Sequence, residues 1–396
     1  MLCAYRSADL NFTLNYNDAS RQFGEEPLLG VSVDGNYQYF FATLALNYVL
    51  SSNLSMDLSL RSSWRNNDFY YNISDTDFTL SGLKVNDQSY GAGAKLLWTP
   101  RHHELLFGVD VDFGHAKSLS LKDGKQRMDK WAVFLNDTIS IDKVSITPGL
   151  RYDHTSANGD FWSPSLGITV APMKDTVFRG YVARGFGAPP LFYTFGDGFY
   201  SVANQDLKME SVWSYSLGVE TTLFRYVWLK TTIFRHDISR LLGDVPLPDG
   251  RYTVINQGKQ RRQGLEVELK TMPVYNTSLI FGYCFVDAKD RLSGEAIPLV
   301  ARNSYDVGIQ YDDRKSFRAT LKGHYLHWHG EPADNGRYTA MIWDLFLAKK
   351  IIAFSDERQA IEAFFSAHNL FNGAQYPAFP FRNTRRWFEG GVRFYF

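Results

Sequence analysis

The sequence predicts an all-β fold, a transmembrane antiparallel up-and-down β-barrel of about eighteen strands, and three observations carry the prediction. Apolar residues recur with period two along most of the chain. Short and long connections alternate between the periodic segments. Phe, Tyr and Trp together make 16% of the residues, an excess that suits aromatic girdles at two membrane interfaces.

In chain order, Leu44, Leu46, Tyr48 and Leu50 alternate with other residues, and "LSMDLSLR" sets Leu54, Met56, Leu58 and Leu60 against Ser55, Asp57, Ser59 and Arg61. "LLFGVDVDFGH" sets Leu105, Phe107, Val109, Val111 and Phe113 against Gly108, Asp110, Asp112 and Gly114. Val144, Ile146, Pro148, Leu150 and Tyr152 oppose Ser145, Thr147, Gly149, Arg151 and Asp153, and Phe317, Ala319 and Leu321 oppose Arg318, Thr320 and Lys322. The chain ends on "RRWFEGGVRFYF", where Phe388, Gly390, Val392, Phe394 and Phe396 share one face and Trp387, Glu389, Gly391, Arg393 and Tyr395 the other. Termini are ordinarily loose. A strand that keeps its alternation to the last residue is expected to be paired along its length. Strands of roughly ten residues leave short connections at 51–53, 99–103, 142–143, 172–175, 224–226 and 312–315. Long ones fall at roughly 65–86, 116–127, 185–211, 240–260, 288–302 and 328–339. No linker or composition break divides residues 1–396, which are read as one domain.

Composition narrows the classes. Lys and Arg number 42, as do Asp and Glu, so no global field recruits nucleic acid. Cys3 and Cys284 lie too far apart in sequence for a disulfide framework or a ligand-spaced metal cluster. No run approaches the ~18 consecutive apolar residues of a membrane-spanning helix. "MLCAYRSADLNFTL" lacks the parts of a secretory signal, which leaves a cytoplasmic protein, a mature segment or a truncated fragment open. Period alone also leaves a soluble sandwich or propeller beside the membrane barrel.

From residue 144 onward the chain resembles the TonB-dependent receptor family. The resemblance rests on "VSITPGLRYDH" (144–154), "SPSLGITVAP" (163–172), "RGYVARGFGAPPLFY" (179–193), "NQDLKMESVWSYSLGVE" (204–220), "TTIFRHDISRLL" (231–242), "INQGKQRRQGLEVEL" (255–269), "FGYCFVDAKD" (281–290) and "AHNLFN" (367–372). It departs from the family at Gly187, where Arg is common, and at Gln205 and Met209, where Pro is common. The terminal strand is similar to the signal by which outer-membrane barrels are recognised by their assembly machinery, with Phe388, Val392, Phe394 and Phe396 as its apolar positions. The resemblance implies a bacterial outer-membrane location and a barrel of about 22 strands filled by an N-terminal plug. It also implies active uptake of a scarce ligand, powered through the plug by the TonB energy-coupling complex. Nothing plug-like precedes the first strand, so the expectation is the C-terminal barrel portion, without the plug and the first strands.

No catalytic constellation occurs: no nucleophile elbow, no His-Glu zinc motif and no phosphate loop, which points to a transporter and not an enzyme. No cofactor is expected. His324, His327 and His329 in "HYLHWHG" split between two strand faces, so they read as interface residues rather than metal ligands. "YGAGAKL" (90–96) is followed by no helix and reads as packing against lumen or lipid. Lys259, Arg261, Arg262, Arg382, Arg385 and Arg386 are candidates for an anionic ligand or for the phosphates of outer-membrane lipid and lipopolysaccharide, against plain solvation. Arg151, Asp153, Arg179, Arg318 and Lys322 are the expected lumen lining. The long segment "RGFGAPPLFYTFGDGFY" is the expected ligand loop, with Arg184, Phe192, Tyr193, Phe195, Phe199 and Tyr200 at its surface. In haem-binding relatives this loop typically carries His. None lies between Arg184 and Glu210, so the resemblance favours a ferric siderophore or a corrinoid. Two other classes stay open: a plugless passive channel, and a soluble β-rich binding protein.

Overall fold

The computed structural model describes residues 8–26, 31–73, 79–196, 201–222, 225–298, 300–328, 340–353, 360–375 and 383–395. They form one nineteen-stranded sheet. One strand is a two-residue piece, Ser201–Val202, which pairs in parallel with Tyr252 and Thr253. The remaining eighteen are long, from nine residues in Ala360–His368 to twenty-one in Val31–Ser51. Between the strands stand a single helical turn at Lys122–Gly124 and a five-residue helix, Leu191–Phe195.

Pairing follows chain order. Ala8–Glu26, Val31–Ser51, Leu54–Ile73, Thr79–Trp98, His103–Lys117, Lys125–Ile141, Val144–Thr155 and Gly159–Met173 form one antiparallel run. Thr277–Asp290, Ala301–Asp312, Phe317–Trp328, Ile342–Ala353, Ala360–His368 and Trp387–Tyr395 form another. The chain gathers into two compact units: residues 1–170, 179–215 and 236–260 in the first, and 171–178, 216–235 and 261–396 in the second.

In the first unit, register converts the period-two pattern into two unlike faces. Leu46, Leu58, Ala94, Val109, Val133, Tyr152 and Trp162 stand in line across seven strands. Along the neighbouring register, on the other face, run Ser59, Gly93, Asp110, Ala132, Asp153 and Phe161. The apolar face remains exposed in this molecule, at Phe107, Leu135, Leu150 and Ile168 among others. Buried apolar side chains gather elsewhere: Leu121, Met128, Phe161, Leu207, Met209 and Val254.

The strands are longer than their alternation suggests. The expected loop at 65–86 is largely strand, because Leu54–Ile73 and Thr79–Trp98 extend into it, and the expected loop at 240–260 shrinks between Val227–Pro246 and Tyr252–Thr271. Beyond the apolar belt both faces of a strand meet water, so ladder hydrogen bonds continue while the hydrophobic alternation that signals them stops.

Candidate ligand site and its setting

The polar face of the first unit carries a charge ladder. Arg151 donates from Nη1 to Asp110 at 3.0 Å and from Nε to Asp153 at 2.9 Å, and its guanidinium lies 5.1 Å from the Phe134 ring centre. Arg61 continues the ladder to Asp112 at 3.2 Å and to Asp110 at 4.0 Å. Gly93 makes room for it, since a Cβ there would stand 2.9 Å from both Asp110 Oδ1 and Ser59 Oγ. "YGAGAKL" is therefore a strand segment whose glycines clear space for charges on the polar face, while Ala92 and Ala94 belong to the apolar one. Of the other expected lumen residues, Arg318 binds Glu362 at 2.6 Å, and Lys322 stands in register with Gly308 and Asp344. Arg179 lies five positions before Arg184 on the Thr176–Gly187 strand, an odd spacing that sets the two on opposite faces.

The segment from Ala188 to Met209 folds as two parts. The second part is fastened down. Asn256 pairs reciprocally with the backbone of Lys208, accepting from its N–H and donating to its carbonyl, both at 2.8 Å. Asn204 donates to the Val254 carbonyl at 2.8 Å, and Asn158 to the Leu207 carbonyl at 3.0 Å. The Asn256 and Asn158 carboxamides supply to loop peptides what a neighbouring strand would, while Asn204, in the loop itself, ties it to a strand carbonyl. Between them Leu207 and Met209 are each 2% exposed. The first part begins at Pro189 and Pro190, which end the strand and start the Leu191–Phe195 helix. Gly196 bridges to Leu121.

Small-molecule sites typically enclose about 300–1,000 Å³, and a cavity of 640 Å³ opens between this helix and the strand wall. Arg65, His115, Met128, Lys130, Pro190 and Phe192 are among its lining. One side is apolar. The other carries charge: Arg65 is held by Asp87 at 2.8 Å, whereas Lys130 has no ion pair among the described residues. Of the six residues expected to meet a ligand, Phe192 lines this cavity and Tyr193 stands beside it, 39% exposed, with its ring 6.2 Å from that of Phe192. Phe195 is in the same helix but not in the lining. Phe199 and Tyr200 lie outside the described residues. Arg184 belongs to another cluster, with its guanidinium 4.4 Å from the Phe161 ring centre and its Nε 3.4 Å from Ser211 Oγ. Sequence reasoning missed Arg65, His115 and Lys130. Arg65 and Lys130 continue the polar-face register of Arg61 and Ala132 outward, and following that register past the end of the alternation finds them, whereas His115 stands at an odd spacing from Asp112 and is not found this way.

Aromatic clusters mark the apolar face. Tyr152 lies 5.3 Å from Trp131 and 4.8 Å from Trp162, and in the second unit Tyr305 lies 5.1 Å from Tyr283 and 6.1 Å from Tyr325. His324 pairs with Asp306 at 2.8 Å, while His327 meets Asn303 at 3.3 Å on the opposite face; His329 lies outside the described residues. No metal-holding group occurs among the described residues. In the terminal strand Phe388, Val392 and Phe394 are 57%, 53% and 65% exposed, whereas Arg393 turns to Glu362; Phe396 lies outside the described residues, as does Arg382.

Antiparallel strands joined in chain order, one face apolar with aromatic clusters and the other charged, define a β-barrel membrane protein. The family model described as TonB dependent receptor-like, beta-barrel matches residues 4–370. The ferrienterobactin receptor of Escherichia coli K12 is 36% identical over 112 residues, 24% of this chain and 15% of its own. The vitamin B12 transporter BtuB of Vibrio vulnificus is 25% identical over 254 residues, 60% of this chain and 38% of its own. The matches thus span less than half the length of these relatives. The crystal structure of the ferric-catecholate import receptor Fiu from E. coli K12, in its closed form, superposes with a TM-score of 0.71 at 14% identity, covering 94% of this chain and 65% of that one. The chain belongs to the β-barrel family of TonB-dependent receptors. Its fold is their transmembrane antiparallel barrel fold, its location the bacterial outer membrane, and the family is one of transport receptors, not enzymes.

Proposed function

We propose that the chain is the single barrel domain of a receptor that captures a ferric siderophore or a corrinoid, and that the cavity beside the Leu191–Phe195 helix holds the ligand. The cavity carries the reading: its 640 Å³ combine an apolar side, at Pro190 and Phe192, with the cations Arg65 and Lys130. Such a lining suits a compact ligand with both flat and anionic parts. The two relatives bear the names of a ferrienterobactin receptor and a vitamin B12 transporter, which supports both ligand classes. Arg151, Asp153, Arg318 and Lys322 would solvate the ligand on its way along the polar face. A plug domain would couple the passage to the TonB complex, and the apolar face would meet outer-membrane lipid and lipopolysaccharide.

Binding of ferric enterobactin and of vitamin B12 to the folded chain in detergent tests the proposal. One of them should bind, and Phe192→Ala with Lys130→Ala should weaken it by at least about tenfold, ~1.4 kcal/mol. Equal affinity in the double variant would remove the cavity from the ligand path.

A further inference from the structure

A second cleft, of about 310 Å³, lies in the second unit around the turn that joins Ala301–Asp312 to Phe317–Trp328. At its floor Glu362, 1% exposed, is fully engaged: Oε2 accepts from Arg318 at 2.6 Å, and Oε1 from Arg393 at 3.1 Å and from the Tyr395 hydroxyl at 3.3 Å. Lys350 stands in register directly opposite Glu362, yet with both carboxylate oxygens taken it has no ion pair among the described residues. Arg314 and Lys315, on the turn, have none either. The nearby carboxylate of Asp313 is occupied by the turn's own N–H groups. Among the described residues, Arg314, Lys315, Arg318 and Lys350 line the cleft against the carboxylates of Asp312 and Glu362, with Arg393 bound to Glu362 and Asp313 in the adjoining turn, in a chain with no net charge.

We propose that this cleft docks an acidic polypeptide segment, with Arg314, Lys315 and Lys350 reaching its carboxylates. Cations held around a concave site without partners attract an anion more strongly than scattered surface charges do. The face decides what brings that anion. Glu362 and Arg393 share a register row on the polar face, while the next row, Ile361 and Phe394, belongs to the apolar one. The cleft therefore opens away from acyl chains, and a peptide reaches it where a phospholipid headgroup does not. The site is separate from the ligand cavity, and each stands or falls alone.

The test uses the folded full chain in detergent, titrated with a fluorescent oligoglutamate peptide, with an oligolysine peptide, with inorganic phosphate and with phosphatidylglycerol vesicles. Oligoglutamate alone should bind, with an affinity that falls as salt rises. Lys315→Glu with Lys350→Glu should lower that affinity at least tenfold without changing binding of ferric enterobactin or vitamin B12. Lys315→Gln with Lys350→Gln should give a smaller loss in the same direction, and serves should charge reversal impair folding. Absence of oligoglutamate binding, unchanged affinity in both double variants, or equal binding by phosphate or phosphatidylglycerol would overturn the proposal.

Discussion

Asp313 shows how one side chain closes a turn. Its Oδ1 accepts the backbone N–H groups of Lys315 at 2.8 Å, Ser316 at 2.7 Å and Phe317 at 2.9 Å, and these bonds hold its carboxyl down to about 2 from an ordinary 3.8. A carboxylate whose folded value lies below its unfolded one adds stability that is complete above the unfolded value and fades as pH falls through the folded one. Heat-modifiable, folded barrel should therefore decline between about pH 4 and pH 2, and Asp313→Asn should flatten that part of the profile. Profiles of identical shape for parent and variant would refute the assignment. Gly264, within "RRQGLEVEL", marks a different constraint: a Cβ there would collide with the Phe285 carbonyl and stand 2.8 Å from the Phe234 ring. Gly264→Val should destabilise the barrel by about 1–3 kcal/mol or more, as overpacking does, measured as a lower temperature of heat modification. An unshifted temperature would show that the strands yield freely.

At the scale of elements, the long loop is divided by its asparagines. If Asn256 holds Lys208, then Asn256→Ala takes the side-chain partner from both the N–H and the carbonyl of this exposed residue, at a cost of about 0.5–1.5 kcal/mol per bond. Proteolysis should then begin between residues 201 and 209 while the strands resist; an unchanged digestion pattern would count against the staple. The sequence could not reveal this division. The aromatic run at 191–200 was visible as composition, but which ring faces the wall depends on Leu207, Met209, the loop's own Asn204 and two distant asparagines, Asn158 and Asn256, and their pairing is long-range. Strand existence was legible because each face of the belt meets a different medium. Strand ends were not, because beyond Arg65 and Lys130 both faces are wet and only hydrogen bonding carries the pattern on. For the terminal strand, the exposed row Phe388, Val392 and Phe394 is proposed as the assembly signal together with Phe396. Deleting Phe396 should leave synthesis intact and reduce folded barrel in outer-membrane fractions, and normal assembly of the deletion would refute the role.

At the scale of the molecule, the two faces of one sheet answer to two solvents. Leu135 and Leu150 stand in register on the apolar face, 49% and 46% exposed, a degree of exposure that suits hydrocarbon and would be a liability in water. On the opposite face of the adjoining strands, Gly149 and Ser165 share a row with Asn136. One substitution placed on each face separates a membrane barrel from a soluble sheet. Leu135→Arg sets a guanidinium against lipid and should cost about 2–4 kcal/mol if it lies near the bilayer midplane. Ser165→Arg sets the same group among polar neighbours and should cost far less. A soluble sheet whose apolar face packed on another layer would also suffer at Leu135, so the medium has to be varied too. Folding should require detergent or lipid vesicles, and the penalty at Leu135 should be greatest in vesicles, where hydrocarbon is continuous. Folding of the parent in plain buffer, or equal penalties for the two variants in vesicles, would contradict the assignment of the faces.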